Sequence, residues 1–248
     1  MKIAVIGGTG LIGSQVVKML TTAGHEAVPQ AQSTGVDLLT GEGLPQALTG
    51  VDVVVNLTNS PTFDDASLAF FQKTMDHLLT AAEQADVGHV VILSIVGVDE
   101  VPDLDYYRAK VLQENVLKAG PVPYSIVRAT QFFEFMDAVL TWTADEETVR
   151  LPATPVQPIA SADVARAVAD VAVGSPLRGI HSVAGADVFP LDELGRLTLA
   201  ARGDRRTVTT DDTAGMFAAV PGDALLAKDD AHIAPTRYRD WISAGDRL

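Results

Sequence analysis

Four stretches of the chain, Lys2 to Ile6, Val51 to Val55, His89 to Leu93 and Ser125 to Val127, are short, continuous runs of apolar or β-branched residues. A strand with one wet face alternates polar and apolar positions, so runs without alternation predict strands buried on both faces. Between them lie longer segments with apolar residues at helical spacing: Leu11 to Ala23, Ala66 to Gln84, and Tyr106 to Ala119, the last stopped by Gly120 and Pro121. Strand and helix therefore alternate, which predicts right-handed βαβ units. The expected fold is α/β, a doubly wound, mostly parallel sheet of the Rossmann type with helices on both faces.

From about Gln131 the pattern loosens. Phe132, Phe133 and Phe135 precede a polar stretch with Trp142, and 151–159 carries three prolines. Segments of this kind usually run over an active site. Ser161 or Asp163 is placed to cap a further helix, Val164 to Val173, and Gly179 to Val183 has the look of a late strand. The last 60 residues read as short helices mixed with turns. No repeat or flexible linker divides the chain, so 1–248 is expected to form one domain. Segments of about 131–160 and 184–248 would supply a small C-terminal substrate lobe.

The composition fits a packed globular core, with 47% hydrophobic and 20% charged residues. The formal net charge of −14 disfavours nucleic acid and anionic membrane surfaces as partners. Without a single cysteine there are no disulfides, thiolate metal sites or cysteine nucleophiles. The five histidines, His25, His77, His89, His181 and His232, show no metal-ligand spacing, so no metal is expected. The apolar start of the chain is broken by glycines before it could serve as a signal core or membrane span, and a cytoplasmic location is the simplest expectation.

Gly7-Gly8-Thr9-Gly10-Leu11-Ile12-Gly13 follows a buried strand and opens a helix. In that setting glycines allow a tight turn and close approach of the backbone to a pyrophosphate, whose charge is met by free N–H groups and the positive end of the helix dipole. Gly7, Thr9, Gly10, Leu11, Ile12 and Gly13 are accordingly the candidate pyrophosphate-binding residues.

Tyr106 and Lys110 stand four residues apart on a predicted helix and so share a face. A phenol exchanges protons poorly at neutral pH unless a nearby ammonium lowers its pKa, and Lys110 is placed to supply that field. Ser94 sits at the carboxyl end of a buried strand, where open α/β sheets bind ligands, and would hold a substrate carbonyl. These three are the candidate catalytic residues. Tyr107 has no lysine on its face and is expected to pack or line the pocket. For Arg128 a structural role is favoured over contact with a substrate anion. Phe132, Phe133 and Trp142 are candidates for an apolar substrate wall.

The spacing Gly7-x-x-Gly10-x-x-Gly13, with Asn56, Ser94, Tyr106 to Lys110 and Ile126-Val127-Arg128-Ala129-Thr130, resembles the short-chain dehydrogenase/reductase superfamily, in particular its atypical, NmrA-like branch. The resemblance covers most of the chain. It implies that 56–59, with Asn56 and Leu57, lies beside the adenosine half of a nicotinamide cofactor, and that Lys110 also binds the nicotinamide ribose. An asparagine capping its own turn is the rival reading of Asn56. By the same resemblance Asp37 lies near the adenine, and Gln32 stands about where members that use NADP carry arginine. No acid occupies Val28 to Ser33 to hold a ribose 2′-hydroxyl, and neutral donors such as Gln32 and Ser33 tolerate a 2′-phosphate, which favours NADP over NAD.

The function expected is an NAD(P)-dependent oxidoreductase that moves hydride between nicotinamide and a small carbonyl, alcohol or quinone. The alternative is a dinucleotide-binding redox sensor of the NmrA-like kind, without turnover. A third reading is a reductase or isomerase of this fold that uses bound NADPH without the tyrosine. The partner is a small-molecule substrate, and monomer and homodimer both remain open.

Overall fold

The computed structural model describes residues 1–245. In chain order its elements begin with β1 (Lys2–Ile6), α1 (Leu11–Thr22), β2 (Glu26–Gln30), α2 (Leu44–Ala47), β3 (Val53–Asn56), α3 (Ala66–Gln84) and β4 (His89–Ile95). There follow α4 (Asp105–Ala119), β5 (Tyr124–Ala129), α5 (Met136–Trp142), β6 (Thr148–Leu151), β7 (Pro155–Val156), α6 (Ser161–Val173) and β8 (Ile180–Ala184). The chain closes with β9 (Phe189–Pro190), α7 (Leu191–Arg202), β10 (Thr207–Thr210), β11 (His232–Ile233) and α8 (Tyr238–Ser243).

Seven strands form one sheet in the order β11-β8-β5-β4-β3-β1-β2, and every adjacent pair in it is parallel. Successive side chains of a strand point to opposite faces, so each unbroken apolar run feeds two cores. Ile3 and Val5 of β1 join Val53, Val55, Val91 and Val127 beneath α1 and α6. Ala4 and Ile6 join Val54, Val90, Ile92 and Ile126 beneath α3 and α4, against Met75, Leu78 and Leu117. Fully burying each such aliphatic side chain contributes about 1.5–3 kcal/mol, which makes this double-sided burial the chief source of the sheet's stability. The chain leaves β1 toward β2 on one side and returns to β3 on the other. The carboxyl ends of β1 and β3 thus form the switch point where open α/β sheets bind ligands.

The later segments have their own core. Phe133, Met136, Leu140, Val149, Leu151, Leu194, Leu199, Phe217 and Tyr238 pack with Phe71 of α3 and with Tyr106 and Tyr107 of α4. β6 pairs with β10 and β7 with β9 above the main sheet. This part holds more regular structure than expected: α7 is 12 residues long.

Several boundaries differ from the sequence reading. The third strand is Val53–Asn56 instead of beginning at Val51, and β4 continues past Leu93 through Ser94 to Ile95. There the ladder to β5 pairs Ser94 with Arg128 and Ile95 with Ala129, so backbone pairing carries polar residues into the strand. α6 begins at Ser161, and Ala160 is its N-cap, without a side-chain cap bond. The Ser161 hydroxyl donates instead to Glu134 Oε1 at 2.5 Å. β2 lacks an apolar run because it is an edge strand, a position that tolerates Pro29.

Candidate active site

The turn after β1 is built by sterics. Gly7 adopts φ +77°, in the left-handed region that glycine enters without strain. A Cβ on Gly13 would lie 2.1 Å from the Gly7 carbonyl oxygen, so only glycine lets α1 pack this closely on the turn. Gly10 is different, because a Cβ there would meet nothing closer than the Gly7 oxygen at 3.4 Å. Protein packing leaves that space open above the turn. Gly10 is also the N-cap of α1, which has neither a side-chain cap bond nor an acid in its first turn, so its leading N–H groups face outward. Such a cradle fits a pyrophosphate.

A cavity of about 400 Å³ opens from this turn across the ends of β3, β4 and β5. Gly7, Gly10, Leu11, Ile12 and Gly13 form one wall and Leu57, Thr58 and Asn59 another. Leu93, Ser94, Tyr106, Tyr107 and Lys110 also line it, together with Phe63, Phe132, Phe135, Met216 and Phe217. Ser94, Tyr106 and Lys110 thus share one cavity with the glycine turn, which is distant from them in sequence. Thr130 Oγ1 is a buried polar atom without a partner in that lining, a vacancy suited to a polar group of a bound molecule.

The environments of the three candidates differ from the expected arrangement. The Tyr106 hydroxyl donates to Asn59 Oδ1 at 2.5 Å. Burial pushes the phenol up to about 12, with the Asn59 bond offsetting a little of the rise. The expectation that Lys110 lowers the Tyr106 pKa does not hold here, because the ammonium is turned away. Lys110 Nζ donates to the Leu93 carbonyl at 2.7 Å and to Gln113 Oε1, and lies 4.8 Å from the centre of the Phe71 ring. Burial lowers the Lys110 pKa to about 7 against the opposing pull of Glu114. Ser94 Oγ has no partner at hydrogen-bond geometry, but the serine stands beside Glu114 and adds to its acidity.

Arg128 is structural in this arrangement. Its Nε and Nη2 each lie 2.8 Å from a Glu114 carboxylate oxygen, and Nη1 lies 2.9 Å from Asp99. Burial works against the Glu114 charge, but Arg128, Ser94 and Lys118 outweigh it and hold the carboxyl below the usual range. Tyr107 lines the cavity, and burial raises its pKa.

Other candidates move. Asn56 is buried beneath the loop and does not line the cavity, while its Oδ1 accepts from the Thr58 N–H and hydroxyl at 3.1 and 2.7 Å. It holds the turn that presents Leu57 to Asn59. Phe133 is fully buried in the lobe core, and Trp142 is 47% exposed outside the lining, so Phe132 alone of the three proposed wall residues reaches the cavity. The sequence reading named Asn59 only as the end of the 56–59 segment and Phe135 only as part of the aromatic cluster, and it missed Phe63 and Phe217, which belong to no spacing motif. Thr9 is exposed on the turn and outside the lining. Gln32 and Asp37 lie beyond β2, where Gln32 Nε2 donates to Asp37 Oδ2 at 3.1 Å and places a carboxylate beside the glutamine. Among the described residues no three metal-ligating side chains converge, and no helix is long and apolar enough to cross a membrane.

A family model described as NAD(P)H-binding matches residues 7–173. The (4-alkanoyl-5-oxo-2,5-dihydrofuran-3-yl)methyl phosphate reductase of Streptomyces griseus is 32% identical over 154 residues, 56% of this chain and 50% of that protein, so the match spans half of that relative's length. Photosystem II assembly factor Ycf39 of Synechocystis is 24% identical over 236 residues, 84% of this chain and 70% of that one. Among solved structures, an NADPH-dependent quinone oxidoreductase of Escherichia coli in complex with NADPH superposes with a TM-score of 0.75 at 17% identity, covering 98% of this chain and 99% of the other. A UDP-N-acetylglucosamine 4-epimerase from Bacillus cereus gives 0.70 at 16% identity, covering 98% and 97%. At these identities the structural likeness is one of fold.

Proposed function

The chain belongs to the NAD(P)H-binding family, and from that premise we propose that it is a reductase transferring hydride from NAD(P)H to the carbonyl, or to the conjugated carbonyl system, of a small, largely apolar substrate. The observation that carries this reading is that the open cradle at Gly10 and the side chains of Ser94, Tyr106 and Lys110 share one aromatic-walled cavity. The cradle and the outward N–H groups of α1 would hold the pyrophosphate, and Leu57 to Asn59 would flank the adenosine. Thr130 would meet the nicotinamide half, and Lys110 would reach it by exchanging one of its bonds to Leu93 or Gln113. Bound NAD(P)H supplies the hydride.

The protein supplies position and a proton. Ser94 Oγ would turn from the neighbouring Glu114 carboxylate to donate to a substrate oxygen. With its pKa near 12 the Tyr106 phenol keeps its proton at neutral pH, so in the reducing direction it serves as acid once its bond to Asn59 is exchanged for one to that oxygen. The aromatic lining favours a flat apolar substrate. Residues 131–160 and 184–248 would form the substrate lobe, of which 246–248 lie outside the described residues. NADP is the preferred cofactor, because Gln32 and Ser33 are neutral donors, with Asp37 the group that limits the preference.

A second reading, a dinucleotide-binding assembly or sensor protein without turnover, draws on the assembly-factor relatives and on the Asn59 bond that occupies Tyr106. The separating experiment titrates the protein with NADPH and NADH and then screens quinones, aldehydes and ketones with wild type and Tyr106→Phe. Turnover that falls by about 100-fold or more in the variant, with cofactor affinity kept, supports tyrosine-dependent reduction. Turnover that survives identifies a reductase working without the tyrosine. Tight binding with no turnover on any carbonyl supports the sensor.

A further inference from the structure

We propose that Gln113 is a positioning residue for Lys110, and that its amide is itself oriented by the thioether of Met75. Gln113 and Met75 are buried to within 1%. An ammonium has three protons to place. Lys110 directs Nζ to the Leu93 carbonyl, the Gln113 carbonyl oxygen and the face of Phe71. Leu93 is backbone and Phe71 offers a π face, so Gln113 is the side-chain oxygen that binds the ammonium.

That arrangement requires Gln113 to point its oxygen, and not its NH2 group, at Lys110. The ammonium, a donor only, selects that oxygen, and Met75 accepts the other end of the amide. Gln113 Nε2 lies 3.8 Å from Met75 Sδ, and Asn56 Nδ2 lies 3.5 Å from the same sulfur. A thioether accepts hydrogen bonds and cannot donate them, so both amides must turn their NH2 groups toward it. The oxygen of Gln113 is thereby aimed at Lys110, and that of Asn56 at Thr58, next to the asparagine that holds Tyr106. One buried sulfur thus fixes the groups on either side of the reacting centre.

The other groups facing Lys110 are accounted for. On α4 the Glu114 carboxylate favours the ammonium, Lys118 and Arg128 are bonded to Glu114, and the buried phenols of Tyr106 and Tyr107 are neutral. β4 presents the Leu93 carbonyl and Ser94, and α3 presents Phe71 and Met75, none of them ionisable in the relevant range. A change at residue 113 therefore acts on Lys110 against a constant background.

The inference rests on the reductase reading for its catalytic consequence only, so its test uses the protein without cofactor. The chain has six lysines. NMR of protein carrying ¹³C at the lysine ε-carbons follows each titration, and the spectrum of Lys110→Arg assigns the signal. Wild-type Lys110 should titrate near 7. Gln113→Glu should raise that value, and Gln113→Leu should lower it, each by about one pH unit, a tenfold change in the protonation equilibrium. Met75→Leu, close in volume but without an acceptor, should move it in the same direction as Gln113→Leu. If Gln113→Leu does not fold, Gln113→Asn withdraws the oxygen by one methylene and must give the same downward shift. Movement of the Glu and Leu variants in one direction, no movement, or an ordinary lysine titration in wild type would overturn the proposal. The expected shifts in a protein that reduces no carbonyl would sink the reductase reading and leave this one standing.

Discussion

Tyr106 and Lys110 share a helix face, yet burial drives their pKa values in opposite directions, to about 12 and about 7. Desolvation disfavours whichever form is charged, so it holds the phenol protonated and lets the ammonium lose its proton near neutrality. If turnover needs the Lys110 charge, kcat/KM should be level on the acid side and fall as pH rises through about 7, and Lys110→Arg, which stays charged, should abolish that limb. A limb that persists in the arginine variant assigns it to another group. Cofactor choice is also decided by single residues. Asp37→Asn removes the carboxylate beside Gln32 and should raise the ratio of NADPH to NADH affinity several-fold by titration; an unchanged ratio would mean that Asp37 does not face the cofactor. Tyr106 and Lys110 were legible because the helical period is regular. The partners that set their chemistry, Asn59, Gln113 and Met75, were not, since they come from a loop, a neighbouring turn and another helix. The aromatic run failed for a local reason: in the tight 3₁₀ turn Phe133–Phe135, adjacent rings diverge, and Phe133 enters the lobe core while Phe135 reaches the cavity.

At the scale of the element, the glycine turn separates two demands that its sequence pattern merges. Gly13 answers to folding and Gly10 to a ligand. Gly13→Ala puts a methyl group 2.1 Å from the Gly7 oxygen, so the helix must shift, and overpacking of this kind typically costs about 1–3 kcal/mol. Urea unfolding should show that loss. Gly10→Ala places its methyl against nothing closer than the Gly7 oxygen at 3.4 Å and should change stability by less than about 1 kcal/mol, as expected for Gly to Ala at an N-cap. It should nevertheless weaken NADPH binding by about tenfold or more, because the methyl group fills the cradle. Equal stability losses in both variants, or a Gly10→Ala protein that binds NADPH normally, would refute the assignment. The turn was legible because a buried strand precedes it and a helix follows. Strand ends were less so, since backbone pairing carries Asn56 and Ser94 into the ladder where side-chain type gives no sign of it.

Across the whole molecule, the doubly wound sheet was readable because each central strand is buried on both faces. The lobe was not, because its core joins residues as distant as Phe71, Tyr107, Phe133, Leu194 and Tyr238, which no local period connects. The same two-sided burial encloses His89 on β4, which is 3% exposed. Ser125 Oγ accepts the Leu177 N–H at 2.9 Å and lies 2.8 Å from His89 Nε2. Burial lowers the folded-state pKa, with a contact to the Ala172 backbone opposing it. The unfolded chain, with an ordinary histidine near 6.5, therefore binds more protons than the folded one between the two pKa values. The histidine's contribution should be flat above about pH 7 and fall as pH drops through 6.5 toward the folded value, while Lys110, whose folded pKa of about 7 lies below that of an unfolded lysine, adds a separate rise of stability with pH above about 7. Glu114 and Asp192 also have lowered pKa values, but as carboxylates they stay ionised in both states over this interval and act only at lower pH. Urea midpoints between pH 7.5 and 5.5 should thus decline in wild type and decline less in His89→Gln, which cannot take up the proton. Parallel declines would place the acid sensitivity outside the buried histidine and serine pair.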